Sequence, residues 1–157
     1  KKEADVAIRP SISSHPDLIG KKIANLHFAL YVSKKLYKKW GDKIEDYNFI
    51  SPSDSLSHLK SYQWIKKNIS PHRVRFKVNN LIIAEKLCQE DAGIAILPCH
   101  IGEENSQLVK ISKGTKDLGT ELWVLTHRDL KNSMRIRLFL DSVYQSLGEY
   151  KKLFELV

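Results

Sequence analysis

The sequence predicts an α/β fold with a largely parallel sheet. Short apolar runs alternate with amphipathic stretches of helical period along most of the chain. Gly93-Ile94-Ala95-Ile96-Leu97-Pro98 is apolar throughout, as a strand covered on both faces reads. Asn79-Asn80 separates a run of period two (VRFKV, residues 74–78) from one of helical period, where a strand end meets a helix cap.

Taken in order, residues 4–8 (ADVAI) read as a strand ended by Arg9-Pro10 and a Ser/Pro loop. A core strand at the very start lacks the earlier neighbour that a sheet would give it, so a fragment of a larger domain is expected. Residues 28–32 (FALYV) form a second strand. Ser33 is placed to cap a helix over residues 34–40, with Gly41 as its stop. Leu36 and Trp40 share one face of that helix and lysines take the other. Residues 48–50 form a short strand running into Ser51-Pro52-Ser53-Asp54-Ser55, and residues 62–68 a short helix. After Asn79-Asn80 a helix keeps Leu81, Ile82, Ala84, Glu85, Leu87 and Cys88 on a buried side through Gln89, and Gly93 closes it. Strands follow at residues 94–97, 108–111 and 121–125. Asn132 or Ser133 starts a long amphipathic helix that Gly148 ends, and the tail adds a helical turn or two.

The chain has 157 residues, 42% of them hydrophobic, enough for one domain or two small lobes with a proper core. Its net charge of +8 permits acidic partners without demanding them. Lysine pairs at residues 34–35, 38–39 and 66–67 favour solvated helix faces, with a phosphate-tracking face as the alternative. Two cysteines make no disulfide framework. No apolar run has the length of a membrane span and no signal-peptide pattern opens the sequence, so a cytoplasmic protein without a membrane partner is expected.

In an open α/β sheet, ligands bind outside the carboxyl ends of the strands. Pro98 and Cys99 follow one strand, Ser51 to Ser55 another, and Asn79 and Asn80 a third that also leads into a helix N-terminus. These polar ends predict a site for a small anion. Arg9 ends a strand as well. Its guanidinium either forks onto a ligand carboxylate or pairs with a local acid. The serines either bind ligand or hold their own loop together, the loop role being favoured for Ser55. Of the two asparagines, one can cap while the other faces the ligand. A zinc site needs about four ligands at recognisable spacing, which Cys88, Cys99 and the histidines lack. A Cys99 nucleophile needs a placed base, and His100, adjacent in an extended segment, points the other way. No enzyme activity, metal or cofactor is expected.

The pieces "ADVAIR", "LIGKKIANLHFALYVSKKLY", "NN", "AGIAILPCHIG" and "TELWVLTHRDLKNSMRIRLFLDSVYQSL", in this order and spacing, resemble the effector-binding domain of LysR-type transcriptional regulators over residues 4–147. The sequence departs from close relatives at His100, often aromatic, and at Arg128, often proline. The resemblance implies a periplasmic-binding-protein-like (type II) fold of two α/β lobes. Residues 1–30 and 127–157 would make an incomplete first lobe and residues 31–126 the second, with crossing strands near residues 28–32 and 122–126. It further implies a small-molecule effector held between the lobes by Arg9, Ser53, Asn79, Asn80, Pro98 and Cys99. DNA would be bound only through an N-terminal helix-turn-helix absent from this chain, and the intact regulator would be a homo-oligomer. A free-standing solute-binding protein of the same fold is the alternative, and a DNA-binding module driven by net charge is a third class, marked by steep salt dependence.

Overall fold

The computed structural model describes residues 4–11 and 16–156. In chain order the elements are β1 (Val6–Ser11), β2 (Leu18–Ser33), α1 (Lys34–Trp40), β3 (Phe49–Pro52), α2 (Lys60–Asn68), β4 (Val74–Val78), α3 (Leu81–Gln89), β5 (Ile94–Pro98), α4 (Cys99–Glu104), β6 (Leu108–Lys110), β7 (Thr115–His127), α5 (Met134–Glu149) and α6 (Lys151–Phe154). Short 3-10 turns lie at Ile44–Asp46, Asp54–Leu56, Pro71–Arg73 and Arg128–Leu130. The chain divides into two compact units. One holds residues 1–26 and 120–155, the other residues 27–119 and 156–157. β2 and β7 each pass from one unit into the other, between residues 26 and 27 and between residues 119 and 120.

In the first unit β1 pairs antiparallel with β7, from Val6 opposite Thr126 to Ser11 opposite Glu121, and β7 lies beside β2. Ile23, Ala24, Leu26, Val124, Leu125 and Ile136 are buried there. The buried Thr126 hydroxyl donates to the Asp5 carbonyl at 2.7 Å, and the Lys22 ammonium meets Glu121 at 2.6 Å. Helix α5 leaves Met134, Leu138, Phe139 and Tyr144 exposed.

In the second unit β3 is parallel to both β4 and β5, giving the lateral order β5–β3–β4. β2 is antiparallel to β5, with Phe28 opposite Pro98 and Tyr31 opposite Ala95, and β6 is antiparallel to β2. Every residue of β5 is buried, as its unbroken apolar run predicts. The core cluster joins Ala29 and Tyr31 of β2, Ile50 of β3, Ala84 and Cys88 of α3, and Ala95 and Leu97 of β5. Each such large aliphatic side chain contributes about 1.5–3 kcal/mol through burial.

Several expectations are corrected. The sheet is mixed rather than largely parallel, because β1, β2 and β6 all pair antiparallel. β1 starts two residues later than predicted and runs through Arg9 and Pro10 to Ser11. Of the Ser/Pro loop after it, residues 12–15 lie outside the described residues. β2 is 16 residues long, because ladder partners on successive stretches hold its Lys- and Asn-containing half extended as well. Helix α3 is closed by Asp91, not by Gly93. Asp91 adopts φ +62°, and the Ala92 N–H then reaches the Leu87 carbonyl at 3.0 Å, the bond that ends a helix in a left-handed residue. Gly93 takes φ +140° where the chain passes the Asn48 carbonyl, against which a side chain would collide. α5 continues through Gly148 to Glu149. The segment expected to be extended at Cys99-His100 is the start of α4.

Candidate functional site

Since β3, β4 and β5 are parallel neighbours, their carboxyl ends lie along one edge of the second unit. Ser53 follows β3, Asn79-Asn80 follow β4, and Cys99 follows β5. The Ser53 N–H donates to the Val78 carbonyl at 2.7 Å, which ties the loop after β3 to the end of β4. The Ser53 and Ser55 hydroxyls lie 2.8 Å apart and hydrogen-bond each other, the loop-holding role expected for Ser55. Asn80 is the cap: its side-chain oxygen accepts from the Ile82 N–H at 2.8 Å, and its carbonyl accepts from the Ala84 N–H. Asn79 is exposed beside it. α3 carries no acid in its first turn, so the positive end of its dipole meets no anion of its own helix.

Cys99 does not present its thiol at this edge. It begins α4 fully buried, and burial pushes its thiol up from the ordinary range. Pro98 is likewise buried. The Tyr31 hydroxyl donates to the Cys99 carbonyl at 3.4 Å, and a side chain on Gly102 would overlap the Tyr31 ring. His100 is half-buried, and burial holds its imidazole below its usual value. Arg9 belongs to the first unit, where it is exposed on β1 opposite Trp123. Among the described residues no group of three or more His, Cys, Asp or Glu is placed to hold a metal ion, and no helix is long and apolar enough to cross a membrane.

Three residues not singled out in the sequence stand at the same edge. The Asp54 carboxylate accepts from the Tyr62 hydroxyl at 2.9 Å and from the Lys77 ammonium at 3.3 Å. These two partners hold the Asp54 carboxyl below the usual range, Tyr62 foremost. The acid is thus committed within the protein, and Lys77 balances its charge. Tyr62 and Lys77 also line a cavity of about 260 Å³ with Ile65, Ile69 and Val74, which Ser51 of the predicted loop borders and Ser53, Asn79 and Asn80 do not. The parallel register that sets Lys77 opposite Ser51 brings Lys77 to Asp54. No pattern within one segment signals it.

Two α/β units linked by long strands, with polar loops gathered at a parallel strand edge, define the periplasmic-binding-protein-like class of ligand-binding domain. The chain belongs to the LysR substrate binding domain family, whose model matches residues 1–148. No curated protein matches it in sequence. Among solved structures it resembles the regulatory domain of CrgA, a LysR-type transcriptional regulator from Neisseria meningitidis. That match has TM-score 0.71 and 20% identity over 93% of this chain and 76% of the other. The AmpR effector binding domain from Citrobacter freundii matches with TM-score 0.69 and 15% identity, over 92% of this chain and 75% of the other. The regulatory domain of AphB from Vibrio vulnificus, as a C227S variant, matches with TM-score 0.63 and 19% identity, over 92% and 76%. At these identities the likeness is one of fold.

Proposed function

We propose that this domain senses a small anionic metabolite at the edge where β3, β4 and β5 end, and that binding is transmitted to a DNA-binding segment of the same regulator. The observation that carries the reading is the meeting of three parallel strand ends with the N-terminus of α3, a nine-residue helix capped by Asn80 and free of acid in its first turn. Ser53 and Asn79 supply neutral donors beside it, while the Asp54 carboxylate is occupied by Tyr62 and Lys77. The contribution of Pro98 and Cys99 is reduced to backbone, since both side chains are buried. Arg9 enters on the family's organisation alone, as a charge-assisted contact to an acidic ligand. The proposed transmission is a shift in the populations of two domain states, which requires the ligand to bind one of them more tightly.

A thermal-shift screen of small carboxylic acids, each paired with its amide, tests this. Acids are expected to raise the melting temperature and their amides not to, because a ligand that binds the native state stabilises it by mass action. Asn79→Ala should abolish the shift and leave the unliganded melt unchanged. Equal stabilisation by acids and amides would remove the anion from the account.

A further inference from the structure

We propose that the lysine face of α1 binds the phosphate backbone of duplex DNA without regard to base sequence. This surface is separate from the effector reading and does not depend on it. Lys34, Lys35, Lys38 and Lys39 surround an open depression of about 610 Å³ together with Gln107. The surface is fixed in place. Ser33 caps α1 through the Leu36 N–H at 3.1 Å, the Lys34 N–H donates to the Gln107 carbonyl at 2.9 Å, and the Gly41 N–H closes the helix on the Tyr37 carbonyl.

Helix stability does not account for all four lysines. Lys38 and Lys39 lie in the last turn, where cations suit the dipole, but Lys34 and Lys35 occupy the first turn, which holds no acid and where cations are disfavoured. Asp91 takes Lys35 at 2.5 Å, and the Lys39 ammonium lies over the Trp40 ring at 4.9 Å. Among the described residues no acid pairs with Lys34 or Lys38. These two are one helical turn apart on one face. A rise of about 1.5 Å per residue separates them by about 6 Å along the axis. A DNA strand presents one phosphate per roughly 3.4 Å of its axis, so the pair spans about two phosphates.

The chemistry also separates DNA from an acidic protein partner. Lysines act on phosphate as point charges, whereas planar carboxylates are read best by arginine, which this face lacks. Protein interfaces also need a buried aromatic or arginine anchor at their centre, and the depression is lined by lysines and one glutamine alone.

The test is fluorescence anisotropy of the purified chain with a labelled duplex of arbitrary sequence, measured against salt concentration. Lys34→Glu/Lys38→Glu is compared with Lys67→Glu/Lys86→Glu, which changes net charge by the same amount on other exposed helix surfaces. Lys34→Glu suits the dipole in the first turn and Lys38→Glu, in the last turn, opposes it, so circular dichroism verifies that the first variant keeps its fold. The expected result is a loss of affinity of tenfold or more in the α1 variant. The slope of log affinity against log salt should become shallower by about two, near 0.9 for each phosphate contact removed. The control should lose less than about threefold and keep its slope. Equal losses in both variants, an unchanged slope, or no binding by the parent chain would overturn the proposal.

Discussion

Asp91 offers the sharpest test of how the second unit holds together. It is the one non-glycine with positive φ among the described residues, and it closes α3. Its carboxylate accepts from the Ser33 hydroxyl at 2.6 Å and from the Lys35 ammonium at 2.5 Å, so it also fixes the residue that caps α1. Replacement by alanine has three costs. Alanine in the left-handed region costs about 1 kcal/mol. Ser33 is 3% exposed, and the lost charge-assisted bond costs about 1.5–3 kcal/mol. The Lys35 side chain is 83% exposed, so that pair adds little. Asp91→Ala should therefore destabilise by about 2.5–4 kcal/mol, read from urea unfolding at constant m value. Asp91→Gly removes the backbone cost and should fall between alanine and Asp91→Asn, which keeps both the conformation and an acceptor. Lys35 and then Ser33 hold the Asp91 carboxyl below its usual range. A depressed acid stabilises the fold above its unfolded value and loses that contribution as pH falls through the folded one. The gap between wild type and Asp91→Asn should accordingly shrink below about pH 4. An alanine variant within 0.5 kcal/mol of wild type, roughly the range of neutral surface changes, would refute the reasoning.

Gly102→Ala should destabilise by about 1–3 kcal/mol in the same assay, because the new methyl meets the buried Tyr31 ring and the helix-propensity gain of about 1 kcal/mol is too small to offset it. Coupling with Tyr31→Leu should recover part of the loss. Both thiols should resist alkylation at pH 8 until denaturant is added, since both are fully buried and burial pushes Cys88 up to about 12 and raises Cys99; mass spectrometry of the native protein checks this. Asn80→Ala should cost about 1 kcal/mol as a lost cap, whereas Asn79→Ala should leave stability within about 0.5 kcal/mol.

The parts of the fold legible in the sequence are those where one segment carries its own pattern. β5 is apolar throughout, α1 has its serine cap and glycine stop, and α3 has its asparagine cap; each forms where expected. β2 is less legible because its polar half is held extended by ladders from distant strands, which local propensity does not encode. α4 escapes notice because six residues including a glycine show too little periodicity, though Pro98 just before it is a helix-start signal. That omission misplaces Cys99, which the helix turns into the core. Of the candidate site, the strand ends are readable because topology follows from strand order. The Asp54–Tyr62–Lys77 cluster is not, since it joins residues 8 and 23 positions apart through parallel register.

The most direct measurement of the central claim is amide chemical-shift mapping by NMR, titrating the chain with a small acid that raises its melting temperature. The account predicts saturable shifts centred on the amides of Ser53, Asn79, Asn80 and the first turn of α3, where N–H groups lack helical partners. A saturable acid whose shifts spare those amides and gather elsewhere would contradict it.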